Sequence, residues 1–455
     1  MDTDSNIDCE SRLIPLRAPQ ALIEFNAAST PGGAFAQIMK TIVHIAMHTT
    51  NIGDGALVKG IQYTLPQDLQ TDIKFVDHCI TDFLKYDKLK FDDQYVEWLN
   101  NNASLLLIGG GGLISEKNYL PTILPPEIIS KLKLPIVVYA VGHNLFDGEK
   151  LKNSAALSGL IGRIRELGGL FSVRNDGSLD RLKRDMGASA AESVCEVPDP
   201  GVFVPVETML HPQIRPGRRN VVLQLAGDKL SNRLGQHDVE QPEERWFSRP
   251  KKSKERHEKS SRQRDIFWAK IASVCDRLTR QHDVNFFIAP HVHSDLAVTE
   301  SFVSATRHTP DFEGSRLEVS GIFRGATSAP AYFDLYRQAD FVIGMRGHSI
   351  IVAVGIGTPC VAIVSHPKVG GFLKDCGLEE WSTHVTDENI EDSLSEKIGR
   401  LIDNSSEWKR LRSIAMERMV LNRKAFHGTI SKLMQFAVCT SNAFVDALPY
   451  SAVVV

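Results

Sequence analysis

Residues Ala339–Gly377 have the sequence ADFVIGMRGHSIIVAVGIGTPCVAIVSHPKVGGFLKDCG. Two short apolar runs, DFVIG and CVAIV, flank a stretch of small and apolar residues long enough for a helix. Buried parallel strands have such continuous apolar runs, and a helix is the usual connection between them. We therefore predict a strand–helix–strand unit, with Arg346 and His348 directly after its first strand and Lys368 after its second.

The same alternation occurs in both directions along the chain. Apolar, β-branched runs lie at Ile42–Met47, Leu105–Gly110, Ile136–Gly142 and Phe171–Arg174, and again at Asn220–Gly227, Asn285–His291, Ala339–His348 and Pro359–His366. Amphipathic stretches such as Ile266–Arg280 separate them. This pattern predicts an α/β protein with two facing, doubly wound, Rossmann-like domains. The carboxyl ends of the strands, where such domains bind ligands, should meet at a shared cleft.

Pro and Gly residues cluster at Val197–Pro205 and at His211–Asn220, between the two halves. We predict an irregular lead-in (1–37), an N-terminal domain (38–210), a C-terminal domain (218–435) with a polar insertion at about 228–264, and a tail (436–455). Within the insertion, Arg245–Arg264 holds nine Lys or Arg against two Glu. Such a run is typical of a solvated, mobile loop, and contact with an anionic polymer or a membrane surface is the alternative.

Composition excludes several classes of protein. Hydrophobic residues make up 42% and charged residues 24%, as in ordinary globular proteins, and the net charge of −3 is too balanced for a nucleic-acid binder. The chain shows neither a secretory signal nor an apolar run of membrane-spanning length. The seven cysteines are scattered and lack metal-site spacing. We expect a cytoplasmic protein with neither a metal ion nor a cofactor.

Two glycine-containing segments in the first half are candidate anion sites. The segment Asn51–Gly60 follows a strand and leads into a helix, so Gly53 and Gly55 would form a tight turn and Asp54 would cap the helix. A plain helix cap is the alternative. Four glycines then follow the strand that ends at Ile108, and we expect backbone amides to meet a ligand at Gly110, Gly111 and Gly112.

Charged side chains after the strands supply the remaining candidates. Arg174 and Arg346 present planar donor groups suited to a phosphate or a carboxylate, and Lys368 adds a third cation. His348 is the natural proton donor or acceptor near pH 7. His291, in APHVHSD, follows another strand. A His-x-His pair alone is weak evidence for a metal site, so we assign His291 to substrate binding instead.

Six segments occur in the order and approximate spacing of one known family: NIGDG, the GGGG after a strand, SVRND, VPDPGVF, APHVHSD and the Arg-x-His region that continues to Gly377. From about Ile42 onward, the chain thereby resembles the polysaccharide pyruvyltransferases. The resemblance implies a glycosyltransferase-B-like architecture. It also implies transfer of the enolpyruvyl unit of phosphoenolpyruvate to a sugar, which forms a cyclic pyruvate ketal. Arg174 and Arg346 would be ligand-binding arginines, His348 the histidine of Arg-x-His, and Asp54 the acidic residue of the first motif.

On this hypothesis His348 acts as the acid, and Asp54 or His291 is the base. Phosphoenolpyruvate is the donor substrate. The acceptor is a sugar of a polysaccharide or glycan precursor, with a lipid-linked oligosaccharide as one option. Two alternatives remain: a nucleotide-sugar-dependent glycosyltransferase of the same architecture, and a non-catalytic subunit of a polysaccharide assembly complex. The sequence specifies neither the acceptor hydroxyls nor the oligomeric state.

Overall fold

A computed structural model describes residues 39–84, 88–116, 119–212, 214–234, 251–306, 317–319 and 325–438, with the backbone alone described at 251–261, 317–319, 326 and 436–438. The predicted lead-in and the end of the predicted tail lie outside these residues.

Twelve strands of the described chain form two six-stranded sheets in which every neighbouring pair is parallel. The first sheet, in the order β2-β1-β3-β4-β5-β6, contains β1 (Lys40–Ala46), β2 (Ile73–Cys79), β3 (Leu105–Ile114), β4 (Ile136–His143), β5 (Leu170–Arg174) and β6 (Val194–Val197). The second, in the order β12-β11-β10-β7-β8-β9, contains β7 (Arg219–Gln224), β8 (Val284–Ile288), β9 (Leu317–Val319), β10 (Phe341–Gly344), β11 (Cys360–Val364) and β12 (Ser382–His384).

Helices connect these strands. The first half contains α1 (Ile52–Leu69), α2 (Ile80–Leu84), α3 (Asp93–Asn102), α4 (Tyr119–Ile123), α5 (Pro126–Ile129), α6 (Ser154–Glu166), α7 (Ser178–Met186) and a 3₁₀ turn (Pro200–Phe203). The second half contains α8 (Leu230–Arg233), α9 (Lys251–Gln281), α10 (Ser294–Thr306), α11 (Ala329–Gln338), α12 (Gly347–Ile356), α13 (Pro367–Cys376), α14 (Ile390–Asp403) and α15 (Ser406–Val438).

The central strands are buried on both faces. Every residue of β4 is buried, as are the residues Leu105–Ile108 at the start of β3. Continuous apolar runs can be buried in this way only if helices cover both faces of the sheet. The predicted fold class, two doubly wound parallel sheets with helices, is confirmed.

The hydrophobic core of the second sheet extends into the first half of the chain. It contains Trp268, Trp381 and Trp408, and it also includes Ile52 and Ala56 from the first turns of α1. The beginning of α1 is therefore held by apolar packing against the second half.

The C-terminal helix α15 packs back onto the first sheet. Its apolar residues join a core cluster with β1, β3 and β4, and these residues are Phe426, Ile430 and Met434. Asp68 of α1 accepts hydrogen bonds from Arg423 Nε at 2.8 Å and contacts His427 Nδ1 at 2.7 Å, while His427 Nε2 lies 2.7 Å from the Tyr139 hydroxyl. This helix thus joins the two halves through both apolar and charged contacts.

Three local predictions are wrong. Helix α1 begins at Ile52, and Asn51 rather than Asp54 caps it, because the Asn51 side chain accepts a hydrogen bond from Gly53 N at 2.9 Å. Strand β3 continues through the glycine run, with a register shift between Gly111 and Ile114, so the glycines do not form a loop.

The third concerns the basic segment 245–264. Residues 245–250 lie outside the described residues, but from Lys251 the backbone is helical and continues into α9, contrary to the expected loop. Within the described residues, no helix is long and apolar enough to cross a membrane.

Candidate active site

The candidate side chains lie where strands of the two sheets end. Arg174 is the last residue of β5, and Asp199 follows β6. In the second sheet, Arg346 and His348 follow β10, and Lys368 follows β11. The carboxyl ends of parallel strands are where doubly wound folds place their ligands.

The two halves of the chain touch directly at these strand ends. Ile52 N, at the start of α1, donates a hydrogen bond to the His291 carbonyl at 3.0 Å. Lys368 Nζ donates to Asn144 Oδ1 at 3.1 Å, across from one half to the other. Residues far apart in the sequence therefore form one cluster.

The ring of His348 packs against the first turn of α1. A Cβ atom added to Gly53 would lie 2.5 Å from His348 Nδ1, so only glycine permits this approach. On its other side, His348 Nε2 lies 3.7 Å from Asp199 Oδ2, which is beyond hydrogen-bond distance. The imidazole is mostly buried, and Nε2 has no hydrogen-bond partner within the described chain. This nitrogen is thus free to meet a ligand.

Asp54 lies in the same turn of α1 as Gly53 and accepts a hydrogen bond from Thr49 Oγ1 at 2.9 Å. Burial raises the pKa of Asp54 above its ordinary value. The positive charges of His348 and Lys368 oppose this shift without cancelling it. A carboxylate with a raised pKa beside an imidazole is suited to proton transfer near neutral pH.

Arg174 is buried between two carboxylates. Its Nη1 lies 3.0 Å from Asp199 Oδ2, and its Nη2 lies 3.3 Å from Asp176 Oδ2. The guanidinium passes over Gly142 of β4 so closely that any Cβ there would overlap it. Only 1% of Arg174 is exposed, so the ion pairs fix its orientation.

Asp199 links Arg174 to His348. Its Oδ1 accepts a hydrogen bond from Gly201 N at 2.8 Å, and its backbone N donates to Asn175 Oδ1 at 2.9 Å. Burial alone would raise the pKa of Asp199, but the charge of Arg174, aided by His348, outweighs it and lowers the pKa to about 2. This residue is therefore a permanent anion beside the imidazole.

Arg346 is paired with two carboxylates in the same way. It donates from Nε to Asp295 Oδ2 at 2.8 Å and from Nη2 to Asp295 Oδ1 at 2.6 Å, and Nη2 also lies 2.5 Å from Asp228 Oδ1. Its backbone N donates to Gln224 Oε1 at 2.8 Å. Burial alone would raise the pKa of Asp228 and lower that of Arg346, but the ion pairs shift both in the opposite direction and outweigh it. The pKa of Asp228 accordingly lies below its usual range and that of Arg346 above it.

Arg233 adds a further buried cation to this group. Its Nη2 donates to Asp228 Oδ1 at 2.9 Å, and its Nη1 donates to Ser365 Oγ at 3.1 Å. Asp228 is thus shared between Arg233 and Arg346. The sequence analysis did not identify Arg233, because it lies on a short helix at the start of the polar insertion.

Lys368 differs from the arginines because, within the described part of the chain, it contacts no carboxylate. Asn144 is its hydrogen-bond acceptor, and its aliphatic stem lies over Gly347. Burial, together with the charges of Arg174 and Arg233, lowers the pKa of Lys368 to about 8. A bound anion would relieve this repulsion.

The glycine run has a packing role that the sequence did not predict. Gly110 and Gly111 have positive φ values of 75° and 124°, and Gly110 faces Leu57 of α1. A Cβ on Gly112 would lie 2.6 Å from the Cβ of Asn144, the residue that contacts Lys368. These glycines allow α1 and the segment after β4 to approach β3 closely.

His291 lies behind Arg346 and is fully buried. Its Nε2 is 2.7 Å from the Tyr336 hydroxyl, and the rings of Tyr332 and Phe333 surround it. Burial lowers the pKa of His291 well below its usual value, so the ring is neutral. The structure places its carbonyl, rather than its ring, against α1.

Four of the carboxylates and one amide in this cluster were not among the predicted site residues. They are Asp176, Asp199, Asp228, Asp295 and Asn144. Three of the carboxylates lie in predicted motifs, but sequence spacing does not show that they pair with Arg174 and Arg346.

A family model described as polysaccharide pyruvyl transferase matches residues 51–367. The amylovoran biosynthesis protein AmsJ of Erwinia amylovora is 34% identical over 83 residues, or 18% of this chain, so the chain matches about a fifth (20%) of that relative's length. Among solved structures, the UDP-GlcNAc 2-epimerase of Neisseria meningitidis bound to UDP-GlcNAc is 10% identical, with a TM-score of 0.49 over 89% of this chain and 100% of that chain. The glycosyltransferase SnogD of Streptomyces nogalater is 12% identical, with a TM-score of 0.44 over 87% and 100% of the two chains.

Proposed function

The chain belongs to the polysaccharide pyruvyl transferase family, and on that premise we propose that it transfers the enolpyruvyl group of phosphoenolpyruvate to a sugar of a polysaccharide or its precursor. The product is a cyclic pyruvate ketal, and inorganic phosphate is released. The scheme needs no cofactor, because phosphoenolpyruvate itself is the activated donor. The acceptor is a sugar with two neighbouring hydroxyl groups, and a lipid-linked oligosaccharide is one source of it.

One observation carries this proposal: the partly buried ammonium of Lys368, which has no carboxylate partner among the described residues, lies in the same cluster as two oriented arginines and a mostly buried imidazole. Phosphoenolpyruvate places a phosphate and a carboxylate on one three-carbon frame, so it requires several converging cationic donors. Lys368 repels its neighbours Arg174 and Arg233, and a multiply charged anion would reverse that unfavourable interaction.

The residues around His348 fit the proton transfers that ketal formation requires. A proton added to the methylene carbon of phosphoenolpyruvate places positive charge on its central carbon, and a sugar hydroxyl attacks there and loses its proton. The bond from that carbon to the phosphate oxygen then breaks, and phosphate leaves. The second sugar hydroxyl attacks the same carbon, closes the ketal ring and releases its proton to the phosphate. Protons and charge balance over the two steps.

We assign His348 as the acid that protonates the methylene carbon. The carboxylate of Asp199 lies 3.7 Å from Nε2, so the ring is held beside a fixed negative charge. Asp54, with its raised pKa, is assigned as the base that accepts a hydroxyl proton. Asp54 is the chain neighbour of Gly53, which packs against His348, and this supports the assignment.

A ligand-binding experiment tests the donor. Purified protein is titrated in a thermal-shift assay with phosphoenolpyruvate, UDP, GDP and a UDP-sugar. A ligand that binds only the folded state at 100 times its dissociation constant stabilises it by about 2.7 kcal/mol. Stabilisation by phosphoenolpyruvate and not by the nucleotides is expected. Stabilisation by a nucleotide alone would contradict the proposal and favour the glycosyltransferase alternative.

A second experiment tests the role of His348. Phosphate release from phosphoenolpyruvate is measured against a panel of glycan acceptors for the wild type, His348→Gln and a matched control, His384→Gln. The control histidine is exposed, and its ring hydrogen-bonds to Thr386. Loss of a general acid should lower turnover by about 10²–10⁴-fold. A folded His348→Gln protein with wild-type turnover would refute the assignment.

A further inference from the structure

A second group of convergent side chains lies at the edge of the first sheet and includes none of the residues assigned to pyruvyl transfer. His44 is in β1, His48 follows that strand, and Asp77 is in the edge strand β2. One ligand atom from each of the three residues lies within 4.8 Å of the other two. His44 Nδ1 is 3.3 Å, and His48 Nε2 is 3.7 Å, from Asp77 Oδ1.

The hydrogen bonds around His44 leave a lone pair facing this centre. Its Nε2 lies 3.3 Å from the Gly109 carbonyl oxygen, which can only accept, so the network assigns the ring hydrogen to Nε2. In the neutral ring, Nδ1 is then a bare acceptor, and it faces a carboxylate oxygen, another acceptor. His44 is fully buried, and Nδ1 has no hydrogen-bond partner within the described chain. A cation between the two atoms would turn this repulsion into attraction.

The distances fit a small metal ion. Zinc binds histidine nitrogen at about 2.0–2.1 Å and carboxylate oxygen at about 2.0–2.2 Å, so two ligand atoms of a zinc tetrahedron are about 3.3–3.5 Å apart. The two distances to Asp77 Oδ1 are 3.3 and 3.7 Å. Only small side-chain movements would be needed to complete the coordination.

Supporting hydrogen bonds of the kind that orient metal ligands are also present. The Gly109 carbonyl fixes the ring of His44, and Gln62 Nε2 of α1 donates to the second oxygen of Asp77 at 2.8 Å. Both contacts orient the side chains without occupying His44 Nδ1 or Asp77 Oδ1, the two atoms that face each other.

We propose that His44, His48 and Asp77 bind one divalent transition-metal ion of the zinc type, with the fourth position open to water or a ligand. Two imidazole nitrogens favour such an ion over Mg²⁺ or Ca²⁺, which prefer all-oxygen ligands. The sequence analysis expected no metal, because these residues are separated by a helix and lack a metal-binding motif. The ion would tie the edge strand β2 to β1.

The test uses full-length, untagged protein freed of metal with a chelator. We expect Zn²⁺ and Co²⁺, but not Mg²⁺, to raise the unfolding temperature, with one ion bound per chain by elemental analysis. The Co²⁺ form should show the visible absorption of a tetrahedral site. His48→Gln and Asp77→Asn should each weaken binding at least about 100-fold, since loss of supporting partners alone costs 10–100-fold. The matched control, His384→Gln, should bind like the wild type.

Two results would overturn the proposal. One is wild-type protein that binds less than one Zn²⁺ per chain at micromolar concentrations. The other is binding that survives unchanged in both His48→Gln and Asp77→Asn. Circular dichroism of the metal-free variants checks folding, and because His48 is partly exposed, its substitution should not prevent folding. The result does not depend on the proposed transferase activity, since every readout is metal binding or thermal stability.

Discussion

Replacing Lys368 with methionine should weaken phosphoenolpyruvate binding and, at the same time, stabilise the ligand-free protein. The ammonium is partly buried near Arg174 and Arg233, and among the described residues it has no carboxylate partner. Its pKa of about 8 is below the ordinary value of 10.5, so folding disfavours its charged form. Wild-type stability should therefore increase as the pH rises from 8 towards 10.5. Removing the charge at pH 7 should raise stability by about 1–3 kcal/mol.

The same pKa sets the pH dependence of binding. With a pKa of about 8, roughly nine-tenths of Lys368 is protonated at pH 7 and roughly one-tenth at pH 9. If the anion binds the ammonium form, affinity should fall about tenfold over this interval, which corresponds to about 1.4 kcal/mol. Binding should also take up almost one proton at pH 9 and very little at pH 7.

Isothermal titration calorimetry measures both quantities. Phosphoenolpyruvate is titrated at pH 7, 8 and 9 in pairs of buffers with different ionisation enthalpies, which reveals the proton uptake. The control is Lys152→Met, which removes a lysine that is 69% exposed and should change neither the affinity nor its pH dependence. An affinity that stays constant from pH 7 to 9, or a Lys368→Met protein that is less stable than the wild type, would refute the reasoning.

Two further substitutions separate packing from charge. In Gly53→Ala, the new Cβ would force His348 Nδ1 from 2.5 Å to an ordinary contact of about 3.4 Å. A displacement of about 0.9 Å should reduce phosphate release about 10²-fold, whereas Gly159→Ala, which meets no atom within 4 Å, should retain activity. Arg346→Ala should lower the free energy of unfolding by about 3–5 kcal/mol in a denaturant titration, because it leaves the buried carboxylate of Asp295 without its cation. Arg184→Ala, which removes an arginine that is 64% exposed, should cost at most about 1 kcal/mol; equal losses from both would contradict this.

The sequence predicts the parallel sheets and the strand ends well, because a strand that is buried on both faces has apolar residues at successive positions. A run such as Leu105–Ile108 is apolar at every position, and a strand buried between two layers of helices explains this. The positions of Arg346, His348 and Lys368 follow from the same reasoning. Each comes directly after such a run, and the end of a strand has a fixed place in this fold.

The errors arose where local sequence allows several structures and a distant contact selects among them. Asn51 and Asp54 are both good helix caps, and the approach of His348 to Gly53 fixes which turn of α1 faces the site. The glycine run could have formed a loop, but Leu57 and Asn144 occupy the space beside it. The pairing of arginines with carboxylates also depends on contacts between segments that are distant in the sequence. Local sequence patterns do not predict such contacts.

The ion pairs of the arginines decide which cation of the site attracts an anion most strongly. Arg174 and Arg346 are each held by two carboxylates, so in the ligand-free protein their charge is largely neutralised and their contribution is orientation. Uncompensated attraction therefore depends mainly on Lys368. Arg233, which shares Asp228 with Arg346, contributes part of the remainder. Because Lys368 donates to Asn144 in the other half, an anion that binds it would lie beside the segment after β4. Donor binding and alignment of the two halves around His348 should consequently be a single event, and loss of Lys368 should impair both.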